Sequence, residues 1–305
     1  IADAHLSQIQ RIRGAKVVGV ADAEPLMARQ LCERFEVGRS FGSVTDLLAA
    51  CWPDVVHITT PPQSHLEIGK QCLEAGCHVY IEKPFTLDTK EANELLGLAT
   101  RRGLKVTVGH DLQFSHAALR MRQMIRDGYL GGEPVHMESY YCYELNDPRY
   151  ARVLLADKTH WVRRLPGKLL HNIISHGIAR ISEHLKTDSV QVTARGFVSP
   201  LLCGMGEDEI VDELRVIITE ERRRTAYFTF SSQMRPSLNV FRIYGPKNGI
   251  VLDEERQLVL RQNGKRFKSY AEKFIPPLAL AGQHIGNLAV NVRKFLRNDF
   301  HMKSG

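Results

Sequence analysis

No C-x-x-C pair occurs among the six cysteines (32, 51, 72, 77, 142 and 203) of this 305-residue chain. Several of them sit inside apolar segments, so the pattern implies reduced, buried thiols and no disulfide framework, hence a reducing, cytoplasmic setting. No H-E-x-x-H or similar ligand spacing occurs among the histidines, which leaves a zinc site through His171, His176 and His184 without a signature, and no metal is expected. No apolar run approaches the ~18 residues of a membrane span, and the first residues lack the charged-then-apolar layout of a signal peptide, so no membrane partner is expected. The net charge is +7, but its basic residues are scattered pairs (Arg101-Arg102, Arg163-Arg164) and one triplet, Arg222-Arg223-Arg224, behind Glu220-Glu221. That is a solvated surface, not a nucleic-acid stripe. Internal repeats, low-complexity segments and long linkers are also absent.

What is present is ordinary globular usage, 43% hydrophobic and 25% charged, in a chain long enough for two domains. Strand and helix signals alternate through the first third. Lys16 to Asp22 reads as a strand, Ser43-x-x-Asp46 opens a short helix, and Asp54 to Thr59 is a strand. Ser64-x-x-Glu67 is a capping box for a helix that Gly76 closes, Asp88 to Arg102 is a helix ended by Gly103, and Leu104 to Gly109 is an apolar strand. This βαβα rhythm predicts a doubly wound, Rossmann-type parallel sheet.

Within it, Cys77-His-Val-Tyr-Ile-Glu-Lys-Pro-Phe85 reads as a buried strand that stops on a charged pair and a proline. Glu82 and Lys83 are thereby delivered to the carboxyl edge of the sheet, where ligands of open parallel sheets lie. An ordinary ion pair in a loop is the competing reading. Thr59-Thr-Pro-Pro-Gln-Ser-His65 is a second strand end on the same edge; Thr59, Thr60, Pro61 and His65 are candidates to line a cofactor, and a plain turn and cap is the alternative.

The opening residues read as a chain entered in mid-fold. Ile1 to Gln10 is amphipathic, Gly14 closes it, and the strand that follows ends in Asp22. In a dinucleotide-binding βαβ unit, the last small residue of G-x-G-x-x-[GA] precedes the ribose-binding acid by ~20 residues, the spacing of Ala2 and Asp22. The expectation is that a first strand and two glycines precede residue 1. Asp22 also suits a cap for the helix at Pro25, and the two roles are compatible.

Near His110 the rhythm changes. Ser115 to Asp127 is a helix stopped by Gly128. Long β patterns then follow at Val135–Tyr143, Val190–Ser199, Val211–Thr219, Thr225–Ser232, Val240–Tyr244 and Ile250–Leu260. Consecutive strands without helices predict antiparallel pairing, with Glu220 to Arg223 at a hairpin tip. Alternation of Thr225, Tyr227 and Thr229 with Ala226, Phe228 and Phe230 implies two different sheet faces, one of which suits a sister subunit. One helix, Gly167 to Glu183, interrupts this region; Asn172, His176 and Arg180 are spaced by four and share a face that suits a pocket, although a structural histidine is the competing reading of His176.

Taken jointly, Glu82-Lys83-Pro84 at a strand edge, the switch to an antiparallel sheet and Asn172-x-x-x-His176 on the interrupting helix resemble the glucose-fructose oxidoreductase and inositol dehydrogenase (Gfo/Idh/MocA) family. Thr60-Pro61 with His65, Trp161-x-Arg163 and the turn Tyr244-Gly-Pro-Lys-Asn-Gly249 fall in that family's order, so the likeness spans nearly the whole chain. It implies NAD-dependent, less so NADP-dependent, redox chemistry on a sugar, inositol or related polyol. The domains would be 1–112, for dinucleotide, and 113–305, an α+β domain with a large, mainly antiparallel sheet for substrate and for a homodimer or homotetramer. Its catalytic lysine corresponds to Lys83, its pocket histidine to His176 and the preceding polar residue to Asn172. His171, Lys168, Trp161 and Tyr143 are second-rank substrate contacts. The family often has an aspartate where this chain has Ala179, and a G-G-G run where it has Pro166-Gly-Lys168. The family usually continues into another helix after the point matching Asp299–Gly305, so the expectation is that further chain follows residue 305.

Hydride transfer from a secondary alcohol needs a base for the hydroxyl proton and a close approach to the nicotinamide. An imidazole suits the first task near neutrality, which assigns it to His176; Lys83 would stabilise the developing alkoxide, and Asn172 would orient the substrate. An NAD-dependent glycoside hydrolase with no net redox, and a non-catalytic ligand sensor, are the competing functions.

Overall fold

The computed structural model describes residues 1–143, 157–187, 189–221, 224–265, 267–268 and 270–297. The chain divides into two units, Ile1–Gly109 and His110–Gly305.

The first unit is α/β. Its helices are α1 (Ala2–Ile9), α2 (Pro25–Arg34), α3 (Val44–Cys51), α4 (His65–Glu74) and α5 (Thr89–Arg102). Strands β3 (Val55–Ile58), β4 (His78–Ile81) and β5 (Val106–Val108) form a parallel sheet in that order, with Ile58 opposite Ile81 and Ile81 opposite Val108. Parallel strands need crossovers, and α4 and α5 supply them. Their apolar faces meet the sheet in a core of Ile58, Cys72, Leu73, Val79, Ile81, Leu95 and Ala99. Ser43 accepts from the Asp46 amide and Asp88 from the Glu91 amide, which caps α3 and α5, and Gly103 ends α5 at φ +66°, a conformation glycine takes at least cost.

Two local expectations are corrected. The strand expected over Lys16–Asp22 is ordered as a ladder only at β1 (Val20–Ala21), because its partner β2 (Ser40–Phe41) offers two residues. The expected capping box at Ser64 does not form: Ser64 Oγ turns back to Thr60 Oγ1 (2.8 Å) and Pro61 O (2.9 Å), while Glu67 accepts from Gln71.

The second unit is built on a seven-stranded sheet in the order β12-β11-β10-β6-β9-β8-β7. The strands are β6 (His136–Cys142), β7 (Gln191–Phe197), β8 (Glu213–Glu220), β9 (Arg224–Ser231), β10 (Leu238–Tyr244), β11 (Asn248–Asp253) and β12 (Leu258–Asn263). All neighbours are antiparallel except β6 and β9, which run parallel. That departure from expectation follows from the connection: between β6 and β9 the chain builds helices and lays β7 and β8 further out in the same sheet, then returns beside β6 in the same direction. The segment expected as one strand over Ile250–Leu260 is a hairpin instead. Asp253 accepts from the Arg256 amide and turns the chain, with Gln257 at φ +52°. The tip between β8 and β9 is made at Glu220–Arg224; Arg222 and Arg223 lie outside the described residues.

The two sheet faces differ as their alternation requires. Ala226, Phe228 and Phe230 are fully buried, whereas Tyr227 is 47% exposed. Helices α6 (His116–Arg126), α7 (Lys168–Ile173), α8 (Ser175–Ser182), α9 (Pro200–Gly204) and α10 (Ala271–Leu296) belong to this unit. The single helix expected over Gly167–Glu183 is broken at Ile174 into α7 and α8. At Gly177, a β-carbon would sit 2.2 Å from the Phe228 ring, and Ser139 donates to its carbonyl at 3.0 Å, so glycine lets α8 lie directly on the sheet. On the edge strand β12, the Asn287 amide of α10 bridges the Val259 N–H and carbonyl, covering backbone that would otherwise template another strand.

Candidate active site

In the first unit, three strand ends converge on backbone bonds that fix their order. Glu82 N–H donates to Ile58 O at 2.9 Å and Gly109 N–H to Ile81 O at 2.8 Å, continuing the ladder past β4 and β5. Beyond them come the sequence-predicted groups. Thr59 and Thr60 follow β3, half-buried, with exposed Pro61 next. His65 is fully buried; its Nε2 faces Thr60 O at 2.8 Å and its Nδ1 faces Pro84 O at 3.0 Å and Phe85 O at 3.1 Å. The ring therefore ties the Thr60 loop to the Lys83-Pro84 loop, which is a brace between strand ends. Asp22 follows β1, and its Oδ1 accepts from the Glu24 amide at 2.8 Å, which orients the carboxylate and starts α2. Ala2 opens α1.

Glu82 is not a solvated surface pair. Its side chain is 12% exposed, Oε1 accepts from His5 Nε2 at 2.9 Å, and Oε2 accepts from the Lys83 main-chain N–H at 3.2 Å. A β-carbon at residue 109 would lie 2.6 Å from Oε1, so Gly109 leaves the niche in which the carboxylate sits. Behind His5, its Nδ1 meets His57 Nδ1 at 2.9 Å, and His57 stacks on Tyr80 with centroids 4.8 Å apart and planes 7° apart. His57 and Tyr80 are opposite partners on β3 and β4, which is why their rings share a face. Burial first, then the His5 ring, push His57 down to about 4, so it is neutral near pH 7.

In the second unit, His176 is buried near the start of α8. Tyr141 of β6 stacks on it at 5.0 Å and 16°, His110 lies 6.4 Å away, and Tyr143 lies 6.2 Å from Tyr141. Burial pushes the Tyr143 hydroxyl up, so it stays protonated. Asn172 and His171 are half-buried on α7. Lys168 opens α7 at φ +45°, and its ammonium lies 2.7 Å from Glu209 Oε2. Trp161 starts a one-turn helix beside His160. Arg180, expected to share a pocket-lining face with His176, is 3% exposed and forms an ion pair with Glu254 at 3.5 Å and a hydrogen bond to Asn239 at 2.9 Å. Burial pulls Arg180 down and Glu254 up, so desolvation outweighs the attraction between them. All six cysteines are free thiols.

Residues 1–110 match the family model for the GFO_IDH_MocA oxidoreductases, described as an NAD-binding Rossmann fold. The first unit is thus similar to this family over its whole length. A UDP-N-acetylglucosamine 3-dehydrogenase of Acidithiobacillus ferrooxidans is 38% identical over 109 residues, 36% of this chain and 34% of the relative. A 1-carboxy-3-chloro-3,4-dihydroxycyclohexa-1,5-diene dehydrogenase of Comamonas testosteroni is 30% identical over 164 residues, 54% of this chain and 40% of the relative. The matches thus span less than half the length of these curated relatives. The WlbA dehydrogenase of Bordetella pertussis, solved with NADH and UDP-GlcNAcA, shares the fold at a TM-score of 0.73 and 16% identity, over 100% of this chain and 87% of that one.

Lys168 stands in the left-handed region, which costs a side-chain-bearing residue on the order of 1 kcal/mol. Sequence reasoning missed His5, His57, Tyr141 and the Arg180–Glu254 pair. The available signal was a polar ring at His57, inside the apolar run Val55–Ile58; what it meets depends on tertiary contact and left no mark at local spacing.

Proposed function

We propose that the chain is an NAD-dependent dehydrogenase acting on a secondary alcohol of a sugar, inositol or related polyol, and that it works as a cytoplasmic homodimer or homotetramer. The observation that supports it most is the strand end after β4, where a buried carboxylate is anchored by His5 and by the backbone amide of Lys83. An anchored strand end is what presents a lysine with the preorganisation that electrostatic catalysis needs.

The residues present fit a dinucleotide. Asp22, with its carboxylate oriented at the end of β1, suits a ribose hydroxyl and would repel a 2′-phosphate, which favours NAD over NADP. Thr59, Thr60 and Pro61 supply backbone and hydroxyl groups at the end of β3, with His65 bracing Thr60, and Ala2 at the start of α1 would add a backbone group. Bound NAD supplies the hydride acceptor. Lys83 would donate to the substrate oxygen as negative charge develops there, and His176 would take the hydroxyl proton and return it in reverse. Asn172 orients the substrate, with His171, Lys168, Trp161 and Tyr143 as further hydroxyl contacts.

The test is calorimetry with NAD and NADP followed by a panel of sugars, polyols and nucleotide sugars, read at the nicotinamide absorbance. Tighter NAD binding and substrate-dependent reduction are expected. Binding without reduction, or glycoside cleavage with no change in nicotinamide absorbance, would overturn the dehydrogenase reading.

A further inference from the structure

The cluster behind Glu82 is unexplained by a sheet core, because it spends three polar side chains where aliphatic ones would pack. His5, on α1, reaches across the strand ends; edge-on contacts at 5.2 Å to His57 and 5.1 Å to Tyr80 hold its ring upright. The Nδ1–Nδ1 contact of 2.9 Å requires one hydrogen between the two nitrogens, and His57, neutral near pH 7, can donate or accept it. Because the Glu82 carboxylate only accepts, His5 Nε2 carries a hydrogen, and a neutral His5 then accepts at Nδ1 from the His57 Nδ1–H; the carboxylate in turn reaches Lys83 through its main-chain amide.

We propose that His5 is a positioning residue for Lys83: its Nε2–H fixes the Glu82 carboxylate, the carboxylate holds the Lys83 amide, and His57 with Tyr80 fixes the ring of His5. The chain of contacts runs Tyr80, His57, His5, Glu82, Lys83 and lies wholly within the first unit. Its catalytic consequence rests on the dehydrogenase reading above, because only there does the orientation of Lys83 set turnover. Gly109 belongs to the same device, since any side chain there would occupy the place of the carboxylate.

Two substitutions separate the two nitrogens. The amide nitrogen of glutamine stands close to where histidine Nε2 stands, and that of asparagine close to Nδ1. H5Q therefore keeps the bond to Glu82 and loses that to His57; H5N does the reverse. The direct readout is hydrogen exchange of the Lys83 amide by NMR on the full chain, with the Val79 and Ile81 amides reporting the sheet. H5N is expected to speed exchange at Lys83 by roughly tenfold, the scale of losing one hydrogen bond to a charged group, with Val79 and Ile81 unchanged. H5Q should stay near the parent, and G109A, which touches neither histidine, should behave like H5N. With NAD and a turned-over substrate, H5N should lower kcat by about tenfold or more while the Kd for NAD stays put.

Unchanged Lys83 exchange in H5N and G109A would overturn the proposal, as would equal loss in H5Q and H5N. Lost protection in H5N in a chain that reduces no NAD with any substrate would leave the positioning intact and sink the dehydrogenase reading instead.

Discussion

The guanidinium of Arg180 lies 3.5 Å from Glu254 Oε1, and both side chains are almost wholly buried, at 3% and 1% exposure. Ser115 and Gln257 donate to the same carboxylate, so the pair pins α8 to the turn between β11 and β12. Removing either partner strands the other charge. Arg180→Ala or Glu254→Ala should each cost about 3–5 kcal/mol in urea unfolding, while the paired change to Met and Leu should cost much less. Equal losses from the single and paired changes would show that packing, not charge, accounts for the effect.

The pH dependence of stability carries a second signature. His57 is lowered to about 4 from an ordinary value of 6.5, so the unfolded chain binds more protons between those values. Its contribution is complete above pH 6.5 and is lost as pH falls toward 4, at most about 3 kcal/mol and less for a partly accessible ring. His116 and His184, also lowered by burial, act with the same sign. His57→Phe keeps the ring on Tyr80 and should flatten part of the decline in unfolding midpoint between pH 6.5 and 4. A slope identical to that of the parent would place the loss in the other histidines.

The open face of the second sheet gives a third. Ile217 on β8 and Tyr227 on β9 are opposite partners, 50% and 47% exposed. If this face joins sister subunits, Ile217→Lys with Tyr227→Lys should convert a dimeric or tetrameric mass in light scattering to a monomeric one. An unchanged oligomer would move the interface elsewhere, and a monomeric parent would remove it.

The architecture was legible wherever period and punctuation agree. Asp88 and Gly103 bracket α5 as written, and the alternation through Thr225–Phe230 names the buried face of β9 correctly, because both are local consequences of backbone geometry. Reading failed where distant partners decide. The parallel seat of β9 beside β6 is set by a long connection, and the hairpin inside Ile250–Leu260 hangs on one Asp253 side chain. In the site, the edge position of Glu82 and Lys83 follows from a strand ending at proline. That Glu82 is buried under His5, and that Arg180 turns from the His176 face to Glu254, required α1 and a distant hairpin to be in place.

The central claim is that the strand end after β4 presents Lys83 to a reacting oxygen, and a single variant tests it most directly. Lys83→Ala, with kcat from nicotinamide absorbance and the Kd for NAD from calorimetry, should lose roughly 10²–10³-fold in turnover, as when one preorganised donor is removed, while cofactor binding changes little. Near-parental turnover in a folded Lys83→Ala protein would contradict the account and leave the Glu82 anchor as structure alone.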